Sequence, residues 1–195
     1  MELIFNNQFS IFNDLFYNYL TPKQCVKLYS SNKILYNVYI NNNKFETNYF
    51  TPKDIIELNK AVNKWCSNKE NAIIKYGNIG YWNTIYIKGM SRLFGNKNKF
   101  NDNIEDWNTS NVIDMEHLFE RAKSFNKPLN NWNISNVISM SCMFHCALRF
   151  NQPLNDWNIN NVTYMNGMFY NATSFNKKNY KYWKLTDYQN ACLYI

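Results

Sequence analysis

The sequence predicts a repeat solenoid, a right-handed coil of short strands and short helical turns preceded by a small α-helical N-terminal region. Three observations carry that prediction. Aromatic and sulfur-bearing residues recur every 25 positions: Trp82, Trp107, Trp132 and Trp157; Met90, Met115, Met140 and Met165; Phe94, Phe119, Phe144 and Phe169. A second Phe column runs through Phe100, Phe125, Phe150 and Phe175, each followed by Asn. Aliphatic columns keep the same phase, with Ile79, Ile104, Leu129 and Leu154 before each Trp and Ile87, Val112, Val137 and Val162 after it. A unit this short cannot close its own core, so it is stable only when neighbours cover both of its open faces. Like residues of successive turns then sit one above another at roughly 4.8 Å, and each aromatic withdraws on the order of 150 to 250 Å² from water.

Residues 1–50 stand outside the repeat. Phe9, Phe12, Leu15, Phe16, Tyr19 and Leu20 form one helix face; Thr21 and Pro22 open a second helix with Cys25, Val26, Leu28 and Tyr29; Leu35, Tyr36 and Tyr39 suggest a third. Asn41–Asn43 reads as a linker. Residues 51–78 are expected to be a capping helix and lead-in, with Thr51 as N-cap, Pro52 in the first turn and an apolar face of Ile55, Leu58, Val62, Trp65 and Cys66. Residues 79–176 hold the four repeats. Within one of them, Leu129 to Ile134 reads as a short strand and Met140 to Phe144, apolar at i, i+3 and i+4, as helical turns. The periodic Met residues are read as gap-filling core. Asn at 83, 108, 133 and 158, or at 111, 136 and 161, is expected to bond from turn to turn or to mark tight turns. Residues 177–195 read as a degenerate closing turn: Trp183 falls 26 residues after Trp157, and the Met and Phe columns end.

Charge argues against a nucleic-acid partner despite a net +7. Residues 72–99 carry five basic residues and no acid, whereas residues 100–174 carry four basic against seven acidic. A phosphate-binding stripe would run along the repeats, but the positive charge gathers at the ends, where a stack needs soluble caps. No apolar run reaches the ~18 residues of a membrane span, and the first residues lack the pattern of a signal peptide, so a cytoplasmic location is expected. The five cysteines, Cys25, Cys66, Cys142, Cys146 and Cys192, suit a reducing compartment. Cys142 shares a column with His117, with Cys146 and His145 nearby, but the spacing matches no zinc knuckle, so no metal site is expected. Two His, no Gly-rich phosphate loop and no nucleophile elbow leave no catalytic residue to name, no cofactor and a non-enzymatic expectation. The candidate binding surface is the set flanking each Trp, namely Glu105, Asp106, Asn130, Asn131, Asn155 and Asp156, with Tyr81 and Tyr86 on the first turn; the alternative for the two tyrosines is packing on the cap helix.

The repeats, for example Phe150 through Trp157 and Met165 to Phe169, closely resemble BspA-type leucine-rich repeats, and the lead-in Ala61 to Asn68 followed by Tyr76, Gly77 and Ile79 looks like the segment that precedes them in that family. The resemblance covers about residues 55–176. It implies leucine-rich-repeat-like geometry and a binding or adhesion surface for protein partners. The first turn departs from the pattern, with Ile85 and Tyr86 where the next has Ser110 and Asn111. The segment Leu15 to Leu28, then Ser31 to Leu35, is similar to an F-box. That resemblance implies docking on a Skp1-like subunit through Leu15, Phe16, Leu20, Pro22, Val26 and Leu28, and a substrate-receptor role in a ubiquitin ligase. The abundance of Asn, Lys, Ile, Tyr and Phe suggests an AT-rich genome, as in a large DNA virus or a protist, which would place the protein in host cytoplasm if viral. The alternative is a surface or virion-associated adhesin, whose sequons at Asn108, Asn133, Asn161 and Asn171 would be open to glycosylation.

Overall fold

The computed structural model describes residues 50–194. The three helices and the linker expected at the N-terminus, and the candidate docking residues Leu15, Phe16, Leu20, Pro22, Val26 and Leu28, lie outside the described residues.

Helix α1 (Ile55–Ser67) starts at Asp54, whose carboxylate accepts from the Glu57 amide, so the N-cap is Asp54 and not Thr51. The Lys53 amide donates to the Glu57 carboxylate at 3.0 Å, so both groups at this helix start satisfy donors that lack partners in the helix. Leu58, Ala61, Val62 and Trp65 form the buried face. The one capping helix expected within residues 51–78 is two: Asn68, with φ −150°, ends α1 and caps α2 (Lys69–Tyr76), accepting from the Asn71 amide at 3.1 Å. Gly77 closes α2 at φ 70°, a left-handed position that glycine takes without steric cost.

Each later turn of the chain bonds to the next through backbone groups 24 to 26 residues apart. Isolated parallel bridges link Gly89, Asp114, Ser139 and Tyr164 in one file. The expected strand over Leu129 to Ile134 is a tight turn instead, closed by the Trp132 amide donating to the Leu129 carbonyl at 3.1 Å; the inter-turn pairing lies further along, next to each Met. The expected helical turns over Met140 to Phe144 are consecutive tight turns. Amides of Met143, His145 and Ala147 donate three residues back, while those of Met140, Cys142, Phe144 and Cys146 donate to Tyr164, Asn166, Met168 and Tyr170 of the next turn. A helix would spend all these amides within itself and leave nothing to join the turns. Alternation forces every fourth residue into the left-handed region: Cys142 has φ 55° and Cys146 φ 57°, and the same columns hold Arg92, Asn96, His117, Arg121, Gly167 and Asn171.

The aromatic files fill the centre. Phe94, Phe119, Phe144 and Phe169 stack at 5.3, 5.5 and 5.7 Å between ring centroids, within 7° of parallel. Phe100, Phe125, Phe150 and Phe175 repeat this at 5.7, 5.9 and 5.6 Å. The two files touch at 4.1 Å in the first two turns and 3.9 Å in the last two. Each offset-stacked pair contributes about 0.5–1.5 kcal/mol beyond its burial. The indoles form a third file held by polar bonds: Nε1 of Trp107, Trp132 and Trp157 donates to the carbonyls of Ile79, Ile104 and Leu129 one turn earlier, at 2.7, 3.0 and 3.0 Å. All four periodic Met residues are buried.

The asparagines divide between both expected roles. Oδ1 of Asn83, Asn108, Asn133 and Asn158 accepts from the amide two residues on, which shapes a turn. Nδ2 of Asn111, Asn136 and Asn161 reaches back to the carbonyls of Ile85, Ser110 and Ser135 and ties turns together. Asn101, Asn126 and Asn151 do the same from the opposite direction, accepting the amides of Asn126, Asn151 and Asn176.

At the far end the columns resume after an interruption. A 3-10 turn, Lys177–Tyr180, and Trp183 are followed by α3 (Asp187–Cys192), which begins with a capping box of Thr186 and Gln189. Leu193 lies 25 residues after Met168 and Tyr194 25 after Phe169, so the Phe column does have a counterpart, with ring centroids 6.1 Å apart. The extra residue before Trp183 is removed again before Leu193, and the amides of Gly167 and Phe169 find the carbonyls of Cys192 and Leu193 at 2.7 and 2.9 Å.

Candidate functional site

Two surface files follow from the repeat. The residues expected to flank Trp on a strand are the centres of tight turns, since the amides of Trp107, Trp132 and Trp157 donate back to Ile104, Leu129 and Leu154. Asp106, Asn131 and Asp156 are exposed at this edge; Glu105, Asn130 and Asn155 are half-buried, and the Oδ1 atoms of Asn130 and Asn155 are buried without a hydrogen-bond partner. These side chains therefore divide between an exposed rim and a partly covered one. Tyr81 ends the 3-10 turn Ile79–Tyr81 and is half-buried, whereas Tyr86 is 64% exposed and does not pack away on the cap.

The second file was missed by the sequence reading. Ile113 and Ile138, 43% and 45% exposed, lie one turn apart and are joined directly by the Ile138 amide donating to the Ile113 carbonyl at 2.8 Å. Lys88 and Thr163 hold the same column at either end. Tyr164, 53% exposed, sits beside Thr163 on the bridge file, and Tyr86 lies two residues before Lys88. The pairing that joins the turns thus also presents side chains outward at fixed spacing, with Val112 and Val137 next to the isoleucines pointing into the core. The signal was present in the sequence: a column that alternates between Ile, Lys and Thr is a column that faces water.

A third cluster is electrostatic. The Glu120 carboxylate, 13% exposed, has Nδ1 of His117 at 2.9 Å, Nδ1 of His145 at 3.6 Å and Nη1 of Arg92 at 3.5 Å. Three successive turns meet there. Both imidazole Nδ1 atoms are buried without a hydrogen-bond partner among the described residues, so the contact is one of proximity. The thiols are engaged elsewhere: Cys142 faces the Asn166 carbonyl at 3.6 Å and Cys146 accepts from Asn171 Nδ2 at 3.5 Å. Burial, then the nearby Glu120 and Glu116 carboxylates, push the Cys142 thiol up from its ordinary value. No three His, Cys, Asp or Glu side chains among the described residues come together in a way that could hold a metal ion.

The sequons at Asn108, Asn133, Asn161 and Asn171 are all exposed. Asn161 and Asn171 commit Nδ2 to internal bonds, whereas Asn108 and Asn133 use Oδ1. Among the described residues no helix is long and apolar enough to cross a membrane.

No curated protein and no solved structure matches the chain. Residues 57–183, running from α1 through the stacked turns to Trp183, match the family described as Mycoplasma protein of unknown function, DUF285, and the chain belongs to that family.

Proposed function

We propose that the chain is a non-enzymatic protein-interaction module: a leucine-rich-repeat-like solenoid of BspA type that binds a protein partner along one exposed strip. The observation that carries this reading is the file of Ile113 and Ile138 with Tyr164 beside it, apolar side chains held out to water at the same place in successive turns. Stability does not require them, because Lys88 and Thr163 fill the same column. Contiguous exposed apolar residues mark interaction sites more often than chance, and Tyr is enriched at binding hot spots. Membership of a family found in BspA-like repeat proteins supports the repeat type.

The test is affinity capture from host extract with the full chain and with an Ile113→Asp, Ile138→Asp double variant. Partners retained by the parent and lost from the variant, at an unchanged unfolding midpoint, fit the reading; identical retention sinks it. The finer proposal, a ubiquitin-ligase receptor, requires retention of Skp1 that disappears when residues 9–40 are deleted. A surface or virion-associated adhesin is the second reading, supported by exposed Asn108 and Asn133, whose amide nitrogens are uncommitted. Intact mass of protein from its native source, with or without added hexosamine, decides it.

A further inference from the structure

We propose that the groove between α1 and the first turn of the stack binds a phosphorylated small molecule. The groove has a volume of about 710 Å³, within the range of roughly 300–1,000 Å³ typical of small-molecule sites. One wall is the C-terminal end of α1, with Asn63 and Trp65; the other is the segment from Asn96 to Asp102, with Phe100 beneath. Three lysines, Lys69, Lys97 and Lys99, face it against a single carboxylate, Asp102.

That carboxylate is already committed. Its Oδ2 accepts from the Trp65 indole at 2.8 Å, and its Oδ1 takes the Lys69 ammonium. Lys97 reaches across the groove to Asn63 Oδ1 at 2.6 Å, a neutral partner that leaves its charge uncompensated. Lys99 and the side-chain amides of Asn96 and Asn98 have no partner among the described residues. Among the described residues, the open groove therefore offers two uncompensated positive charges and uncommitted amide donors along its exposed walls.

Lysine ammonium groups act as point charges toward the spread negative charge of a phosphoryl group, and the groove has three lysines and no arginine. Its volume is too large for a bare phosphate, and the Asn96 and Asn98 amides match the hydroxyls of a sugar. A single basic groove beside mildly acidic turns suits a compact anion. An extended polyanion would need the charge to continue along the stack.

The experiment uses the full chain and follows the indole N–H resonances during titration with ribose 5-phosphate, glucose 6-phosphate and adenosine monophosphate, with ribose and orthophosphate as controls. Trp65 donates at the groove edge, while Trp107, Trp132 and Trp157 donate to backbone carbonyls in the core. At least one phosphorylated probe is expected to shift Trp65 alone, saturably, with a Kd below about 1 mM, and Lys97→Gln and Lys99→Gln each weaken it roughly tenfold. The idea is overturned if no phosphorylated probe shifts Trp65, if ribose or orthophosphate binds as well as the phosphorylated probe, or if both variants bind undiminished. Should Lys97→Gln disturb the core indoles, Lys99→Gln decides, because that exposed side chain makes no hydrogen bond or ion pair among the described residues.

Discussion

The two ends of the stack meet the same problem, an aromatic file that must stop, and solve it in opposite ways. At the start, Trp82 is covered edge-on: Trp65 meets it at 84° and 5.8 Å, and Phe50 at 80° and 5.2 Å. At the far end, Trp183 continues the file at 11° and 6.3 Å from Trp157, and Leu193 and Tyr194 supply the next members of the Leu/Met and Phe columns. One end is a separate helical lid; the other is an imitation turn. A lid turns the ring edge toward the exposed face and ends the repeat, whereas imitation satisfies the outgoing amides of Gly167 and Phe169. The difference follows from bonding direction, since amides of each 140–147-type segment point toward the next turn and only the last turn has them left over.

The largest expected effect breaks the lid. Trp65→Ala is expected to cost about 3–5 kcal/mol, read as a lower unfolding midpoint in urea, with early loss of amide protection around Trp82 and little change at Phe169. Leu193→Ala, at a fully buried position, is expected to cost about 2–5 kcal/mol with the opposite pattern: Gly167 and Phe169 amides exchange first. If both variants lose protection everywhere together, the ends are not independent closures.

Smaller effects sharpen the comparison inside the stack. Asn126→Ala removes the acceptor of the Asn151 amide and of Gln152 Nε2, and a loss of about 1 kcal/mol is expected in denaturant titration. Left-handed columns give a test of sign. Gly167→Ala is expected to destabilise by about 1 kcal/mol, and Arg121→Gly, at φ 56°, to stabilise by a similar amount. The smallest effect is chemical: Cys142, its thiol raised by burial and nearby carboxylates, is expected to react with iodoacetamide at pH 8 more slowly than a free cysteine does, by mass spectrometry of the labelled peptide.

The columns of the core were legible because burial repeats with the chain: the Trp, Met and both Phe files occupy the interior as their spacing requires, apart from the half-buried Phe175 at the end. What periodicity left open was how the backbone reaches them. Met140 to Phe144 has a helical pattern of apolar residues, yet alternate amides must leave the turn to join its neighbour, and no side-chain spacing records that. Left-handed conformations were hidden in the middle turns for the same reason, since Arg121, Cys142 and Cys146 are not residues that announce them, although Asn96, Gly167 and Asn171 hold the same columns. The residues flanking each Trp lie on a turn and not on the expected strand, a difference that side-chain spacing does not record. Tyr194 escaped notice because one inserted and one deleted residue around Trp183 cancel.

The most direct test of the account is a nuclear Overhauser experiment on the full chain with Phe rings selectively labelled. Continuous stacking at 25-residue steps predicts ring-to-ring cross-peaks linking Phe94 to Phe119, Phe119 to Phe144 and Phe144 to Phe169, together with those between Phe144 and Phe150. Cross-peaks confined to Phe pairs within one turn, with none between turns, would contradict it.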